Sequence, residues 1–440
     1  MQVVVEKKEG IQCDLAIEVP AVEIDQEVNK RLKEISKTAK VDGFRPGKVP
    51  TRFIKQRYGR QIRSEVIGDV LPKTSYEAIE AEKLKAAGIK EVKVTQDKEG
   101  ENLKFIAQVE LYPEFEVKGL EEITVEKPKV TLGEKEVDQM IETLQKQVAT
   151  WKEVDRKAQL DDRVKVDFVG SVDGEKFEGG SAEDSQIVLG SKQMIPGFEE
   201  GIVGMSKGEE KTIDVTFPEE YQNKELAGKK SQFAITLKTL EEPELPELNE
   251  AFFKRFNIEG DLANFKAEIE NNMKRELKAA IKRKVKEQVF NGLKAQNEVE
   301  VPASLVRNDI ERSKQQLIQR MGGEKSQIKA GQIPDDLFKA QSQERVKLGL
   351  IVGQLYETHK LEAEEARVND MIEELVSVYE DAEEVKKHIQ TNKQELENIK
   401  QAVLEDQLVD LILEKAKVTE KDEDFFELVR SAMAQQQGAI

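Results

Sequence analysis

The chain has 440 residues, 87 of them acidic and 69 basic, for a formal charge of −18. One hydrophobic core cannot serve a chain of that length, so about two to four domains are expected. The acidic balance argues against non-specific nucleic-acid binding by the molecule as a whole. A single cysteine, Cys13, excludes an internal disulfide and a thiolate metal cluster.

Residues 1–112 read as one α+β unit. Val3-Val5 and Leu15-Ile17-Val19 alternate as strands do. A helix is expected from Asp25, with Val28, Leu32, Ile35 and Ala39 on one face. A second is expected from Pro50 and Thr51, with proline at a tolerated position, carrying Phe53, Ile54, Ile62, Val66 and Val70. Leu103-Phe105-Ala107-Val109-Leu111 then alternates as a closing strand.

Between the two helices, charge changes sign. Twelve of the 34 residues from Lys30 to Arg63 are Lys or Arg, against Glu34 and Asp42 alone. The stretch therefore carries +10 in a chain of −18, and everything else sums to −28. At its centre, Gly43-Phe44-Arg45-Pro46-Gly47-Lys48-Val49-Pro50 suits neither helix nor strand. Positive charge concentrated around one stiff loop of an acidic protein is suited to a polyanion.

Residues 113–149 read as a charged linker. Pro113 and Pro128 lead into a short helical pattern at Val137, Met140, Ile141 and Leu144. Residues 150–243 are glycine-rich and β-rich. Val164-Val166-Phe168 and Phe233-Ile235-Leu237 alternate, and Asp173-Gly174 signals a tight turn.

From Pro246 onward strand signals almost vanish. Leu262, Phe265, Ile269, Met273, Leu277, Ile281, Val285 and Val289 recur every three or four residues, which predicts one long helix. Pro302 restarts a helix and Gly322-Gly323 stops it. Further helices are expected at about 335–360, 365–380, 384–416 and 422–435. His359 and His388 lie far apart in charged helical sequence, and neither is read as a metal ligand or a base. No apolar run at the N-terminus suits a signal peptide, and no window approaches 18 apolar residues, so the cytosol is the expected location.

The run Gln186-Ile187-Val188-Leu189-Gly190, then Gln193-Met194-Ile195-Pro196-Gly197-Phe198-Glu199-Glu200-Gly201, then Phe217-Pro218-Glu219-Glu220-Tyr221 resembles the FKBP-type peptidyl-prolyl isomerases, in register from Val164 to Leu237. The resemblance implies a proline pocket of Phe168, Phe177, Glu178, Met194, Ile195, Phe198, Tyr221 and Phe233, floored by Phe198 where many relatives carry Trp. Glu178 falls where many carry Asp. Phe168 falls where many carry Tyr, so a hydroxyl is lost, which weakens an expected grip on macrolides more than on proline. The chemistry suits these residue types. Rotating an X–Pro bond faces a barrier near 20 kcal/mol and takes roughly tens of seconds unaided. The twisted amide has lost its resonance and is the less polar form, so a dry aromatic pocket holds it better than the planar one. No cofactor and no metal is required.

Gly43-Phe44-Arg45-Pro46-Gly47-Lys48 between two basic helices is similar to the ribosome-docking loop of the bacterial trigger factor family, and the order of domains is similar too. Leu245-Pro246-Glu247-Leu248-Asn249-Glu250 would open the family's helical domain. The resemblance implies ribosome binding by Phe44, Arg45 and Lys48, with Pro46 standing where a basic residue is common. Arg45 and Lys48 would meet phosphates or an acidic protein patch, and Phe44 an apolar notch or a base. It also implies partners: the large ribosomal subunit near the peptide exit, through protein and RNA, and nascent or unfolded polypeptides. No membrane is involved, and there is room for a weak homodimer off the ribosome. Met321, Leu337, Phe338, Leu375, Val376, Tyr379, Leu408, Leu411, Phe425 and Phe426 stand on apolar stripes flanked by charge. Under the resemblance they would offer clients a cradle; ordinary helix packing is the alternative for each.

The fold expected is therefore α+β and multidomain. It comprises a docking domain at 1–112, a linker at 113–149, a small FKBP-like β domain with one short helix at 150–243, and an elongated all-α domain with helical arms at 244–440. The activity expected is ATP-independent holding of nascent chains together with prolyl isomerisation, since no phosphate-binding Gly-x-x-x-x-Gly-Lys-Ser/Thr loop is present. Two rival readings remain: a free cytosolic prolyl isomerase whose other domains localise or dimerise it, and an RNA-binding regulator using the basic hairpin. The charge of −28 outside the island weighs against the second.

Overall fold

The computed structural model describes residues 2–38, 49–172, 174–219, 221, 223–224, 226–323, 329–377, 379 and 381–438. The chain divides into two compact units, Met1–Lys127 with Lys284–Lys421, and Pro128–Arg283 with Asp422–Ile440.

In the first unit, β1 (Gln2–Glu9), β2 (Gln12–Val19), β3 (Ala86–Gln96) and β4 (Leu103–Leu111) form an antiparallel sheet in the order β1-β2-β4-β3. Helices α1 (Ala21–Thr38) and α2 (Thr51–Ala81) pack beside it. Alternation in β2 and β4 buries Leu15, Ile17, Val19, Leu103, Phe105 and Ala107 against Ile24, Val28 and Leu32 of α1 and Ile54, Ile62 and Val66 of α2. Phe53 differs from expectation: it is exposed, one residue off the buried face that Ile54 holds. Pro72 lies inside α2 and lacks an N–H, and the hydroxyls of Thr74 and Ser75 donate to the neighbouring carbonyls of Val70 and Leu71 at 2.8 and 2.7 Å. Strand β3 escaped the sequence reading because three register shifts against β4 break its two-residue period.

The helical part of this unit joins the sheet at α7 (Ala303–Arg320), where the Ser304 N–H donates to the buried Glu110 carboxylate at 2.6 Å. Gly88 makes room there, since a Cβ would lie 2.7 Å from Ser304 Cβ. Helix α8 (Asp336–His359) packs on α7. The helix expected at 384–416 is two helices, α10 (Ala382–Thr391) and α11 (Lys393–Leu413). Asn392 divides them, in extended backbone, and its side chain accepts from the N–H groups of Gln394 and Glu395. With α9 (Glu365–Val376) they enclose a core of Val368, Ile372, Val376, Ile389, Ile399 and Val403. A two-stranded sheet of β5 (Thr124–Lys129) and β11 (Lys417–Asp422) was not foreseen. Every residue of β11 is exposed, so it carries no buried-face pattern to read.

The second unit holds a five-stranded sheet: β6 (Thr150–Glu153), β7 (Arg163–Val172), β8 (Glu175–Val188), β9 (Glu210–Thr216) and β10 (Lys230–Glu244). The long β10 pairs antiparallel with β7 along one edge, and with β9 and then β6 along the other. The short helix α4 (Phe198–Ile202) covers one face of this sheet. A second core joins α3 (Glu134–Gln147), α5 (Glu250–Lys254), the start of α6 (Leu262–Gln296) and α12 (Phe425–Gly438). There Phe253 and Phe265 stack at 4.6 Å. Helix α6 has 35 residues, about 50 Å at the usual rise. Among the described residues no helix is long and apolar enough to cross a membrane.

Of the ten apolar residues expected to face clients, Val376, Leu408 and Phe425 are core. Phe338, Leu411 and Phe426 are half-buried. Met321, Leu337, Leu375 and Tyr379 are exposed, Leu337 the most at 69%.

Candidate active site and docking surface

The sheet of the second unit presents aromatic side chains inward from neighbouring strands. Phe168 on β7 pairs with Ile235 of β10, and Phe233 on β10 pairs with Gly170 of β7, so the two rings emerge on the same face. Gly197, at φ +90°, turns the chain so that α4 delivers Phe198 onto that face. The turn is tied by Phe198 N–H to the Ile195 carbonyl at 3.1 Å and by Gly197 N–H to the Glu200 carboxylate at 2.9 Å.

Three rings meet edge to face. Phe198 lies 5.3 Å from Phe168 and 5.2 Å from Phe233, and Phe168 lies 6.0 Å from Phe233. These separations suit the attraction between ring edge and ring face. The aromatic surface runs on ring by ring, from Phe233 to Phe177 at 6.1 Å, from Phe177 to Phe217 at 5.8 Å and from Phe217 to Tyr221 at 4.7 Å. Two glycines make that continuation possible. A Cβ on Gly170 would stand 2.6 Å from Phe233 Cε1, and one on Gly180 would stand 2.6 Å from the Phe177 ring.

Burial is graded across the site. Phe198 is 0% exposed, Phe233 5% and Phe168 9%, whereas Tyr221 is 36% exposed. Phe177, Met194 and Ile195 are half-buried against the same core. Tyr221, Phe177, Met194 and Ile195 stand at the more exposed margin of a cluster whose most buried ring is Phe198. The cluster has a buried floor and a half-exposed rim, and its rings carry no charge.

Seven of the eight expected pocket residues come together in this way; the side chain of Glu178 lies outside the described residues. Two residues were not assigned a role from sequence. Phe217 links Phe177 to Tyr221, and its place four residues before Tyr221 in an otherwise charged run was the available signal. Glu199 is the other. It is buried beside Phe198, and both carboxylate oxygens accept from the loop at 190–194. Burial pushes its carboxyl up. The N–H groups of Met194, Lys192 and Gly190 and the Ser191 hydroxyl outweigh that and hold it below the ordinary carboxylate value.

Phe44, Arg45 and Lys48, with Pro46, lie outside the described residues. The helices on either side are described. Arg31 pairs with Asp69, Lys55 with Glu99, and Arg63 with Asp25 and Asp97. Lys33 and Lys37 near the end of α1, and Arg52 and Arg60 near the start of α2, are exposed and have no ion-pair partner among the described residues. Exposed positive charge therefore stands on both helices that flank residues 39–48 in sequence.

The sheet, the short helix and the ring cluster define an FKBP-type peptidyl-prolyl cis-trans isomerase module, and the family model of that description matches residues 154–238. The model described as bacterial trigger factor protein matches residues 1–144, and that of its C-terminus residues 261–414. Over 440 residues the chain is 52% identical to the trigger factor of Francisella tularensis subsp. novicida, covering 100% of both chains. It is 47% identical to that of Pseudomonas putida over 435 residues, 99% of each. The chain belongs to the bacterial trigger factor family. A solved structure reported as "Promiscuous Substrate Recognition in Folding and Assembly Activities of the Trigger Factor Chaperone" aligns at 20% identity and TM-score 0.45, over 94% of this chain and 99% of that one.

Proposed function

We propose that this protein is an ATP-independent chaperone that docks on the large ribosomal subunit near the peptide exit, holds nascent chains, and isomerises their X–Pro bonds. The roles divide along the chain. Residues 1–112 dock through Phe44, Arg45 and Lys48; 113–149 link; 150–243 isomerise; and the helices of 244–440 hold clients.

The single observation that carries the reading is the succession of the three family matches along one chain, with the aromatic site intact in the middle one. In the isomerase step, Phe168, Phe198 and Phe233 supply a floor that favours the less polar twisted amide, and Phe177, Tyr221, Met194 and Ile195 orient the proline. Differential binding alone lowers the barrier. In docking, the exposed cations of α1 and α2 add a long-range attraction to the contacts of the loop. In holding, the exposed Met321, Leu337, Leu375 and Tyr379 suit weak contacts with many unfolded segments.

Ribosome co-sedimentation at low salt tests the docking role. Wild type is expected to pellet. The variant Phe44→Ala/Arg45→Ala/Lys48→Ala is expected to stay in the supernatant with prolyl turnover intact. Equal pelleting of both proteins would refute the assignment.

A further inference from the structure

Among the described residues of the isomerase module, Glu199 is the side chain with the most hydrogen bonds, and it lies outside the aromatic pocket's own contacts. It is 4% exposed, and among the described residues it has no cationic partner. Oε2 accepts from the Gly190 N–H at 2.8 Å and the Lys192 N–H at 3.0 Å. Oε1 accepts from the Ser191 hydroxyl at 3.2 Å, the Gln193 N–H at 3.0 Å and the Met194 N–H at 3.1 Å. Each of the five consecutive residues 190–194 gives one donor to the same carboxylate.

That arrangement is costly to build. An anion is taken out of water, which is tolerated only when hydrogen bonds replace the lost solvation. The loop itself bends through two left-handed positions, Gly190 at φ +91° and Lys192 at φ +57°, and the second is unfavourable for a residue with a Cβ. Four of its main-chain N–H groups turn toward the carboxylate. Residues 191–193 are exposed above it, so the loop is held from beneath.

The loop ends at Met194 and Ile195, the half-buried rim of the proline site, and the next residue in chain to Glu199 is Phe198, its floor. The Ile195 carbonyl also accepts from the Phe198 N–H at 3.1 Å. Rim and floor are thus tied through one side chain.

We propose that Glu199 is a positioning residue of the isomerase: its carboxylate fixes the loop 190–194 so that Met194 and Ile195 stand in register over Phe198. The inference rests on the isomerase reading of this site. A rim fixed in advance spends no binding energy on ordering itself when the amide twists. Replacing the carboxylate with an amide leaves one acceptor oxygen and turns an NH2 group on at least two main-chain donors, which loosens the rim without removing a pocket ring.

The test uses the full chain and a short prolyl peptide. Glu199→Gln is expected to lower kcat by about 10- to 100-fold, the scale of a small misplacement remote from the chemistry, with KM changed less. Glu199→Asp, which keeps the charge, is expected to recover part of the loss. By NMR, the amides of Gly190, Lys192, Gln193 and Met194 should be protected from exchange in wild type and move in Glu199→Gln, while the ring signals of Phe168 and Phe233 stay in place. A kcat in Glu199→Gln within twofold of wild type overturns the proposal, as does free exchange of the four amides in wild type. If Glu199→Gln does not fold, wild-type exchange still decides the geometry. Ser191→Ala, which removes one donor, then decides the kinetics: a lowered kcat supports the role and an unchanged one overturns it. Absent turnover in wild type would sink the isomerase reading itself, a result distinct from any of these.

Discussion

In the isomerase module Phe168, Phe198 and Phe233 are buried against one another, and the buried carboxylate of Glu199 next to Phe198 accepts one hydrogen bond from each of residues 190–194. Along α1 and α2 the arrangement is reversed: Lys33, Lys37, Arg52 and Arg60 are exposed, without ion-pair partners among the described residues. Under the proposed function, two different ligands account for the difference. A twisting amide is uncharged and passes through a less polar state, so its site must be dry and fixed beforehand. A polyanion arrives with counterions and a surface too large to enclose, so its site must stay hydrated with charges uncommitted until contact. One region stores its specificity in packing, the other in charge.

This contrast can be tested hardest with salt. If about six cations neutralise phosphates, ribosome affinity should fall by roughly 10³ between 50 and 200 mM salt, while prolyl turnover on an uncharged peptide stays constant. A flat binding curve would move docking from charge to packing.

Next comes overpacking. Gly170→Ala sets a methyl 2.6 Å from the Phe233 ring. It should cost the isomerase module about 1–3 kcal/mol and depress turnover, leaving ribosome pelleting as it was. Calorimetry and pelleting on the same preparation check both halves.

Acid should sharpen the contrast further. The folded Glu199 carboxyl lies below its ordinary value of 4.5, so the unfolded chain takes up the proton first as pH falls. The stability due to Glu199 is therefore complete above about that value and drains away as pH drops through it toward the folded one. Urea melts of the module at descending pH should show that loss in wild type and a flatter profile in Glu199→Gln.

The smallest effect is expected at Leu337, 69% exposed on α8. Leu337→Asn should leave stability within about 0.5 kcal/mol and weaken aggregation suppression of an unfolded client. A large drop in melting temperature would show that Leu337 packs rather than waits for clients.

Regions differed in how legible they were. The aromatic cluster was readable because Ile195-Pro196-Gly197-Phe198 and the alternating strands place rings by period, and period survives in sequence. Strand β3 was hidden by its bulges, and β11 by having no buried face. The break at Asn392 was hidden because apolar spacing continues across it and only a side-chain cap marks the division. Phe53 and the ten apolar residues of the helices show a further limit. Periodicity identifies a helix and its stripe, but which stripe residues meet a neighbour depends on partners far away in the chain, as with buried Val376 beside exposed Leu375. Glu199 was unreadable for another reason: its neighbours donate main-chain N–H groups, which every sequence contains.

The division of labour within one chain is tested most directly by Phe198→Ala, assayed for prolyl turnover and for aggregation suppression on the same sample. Removing a fully buried ring should cost the module about 3–5 kcal/mol, so helical content is recorded alongside. Turnover should be lost and suppression largely kept. Collapse of both activities in a protein that stays folded would contradict that division.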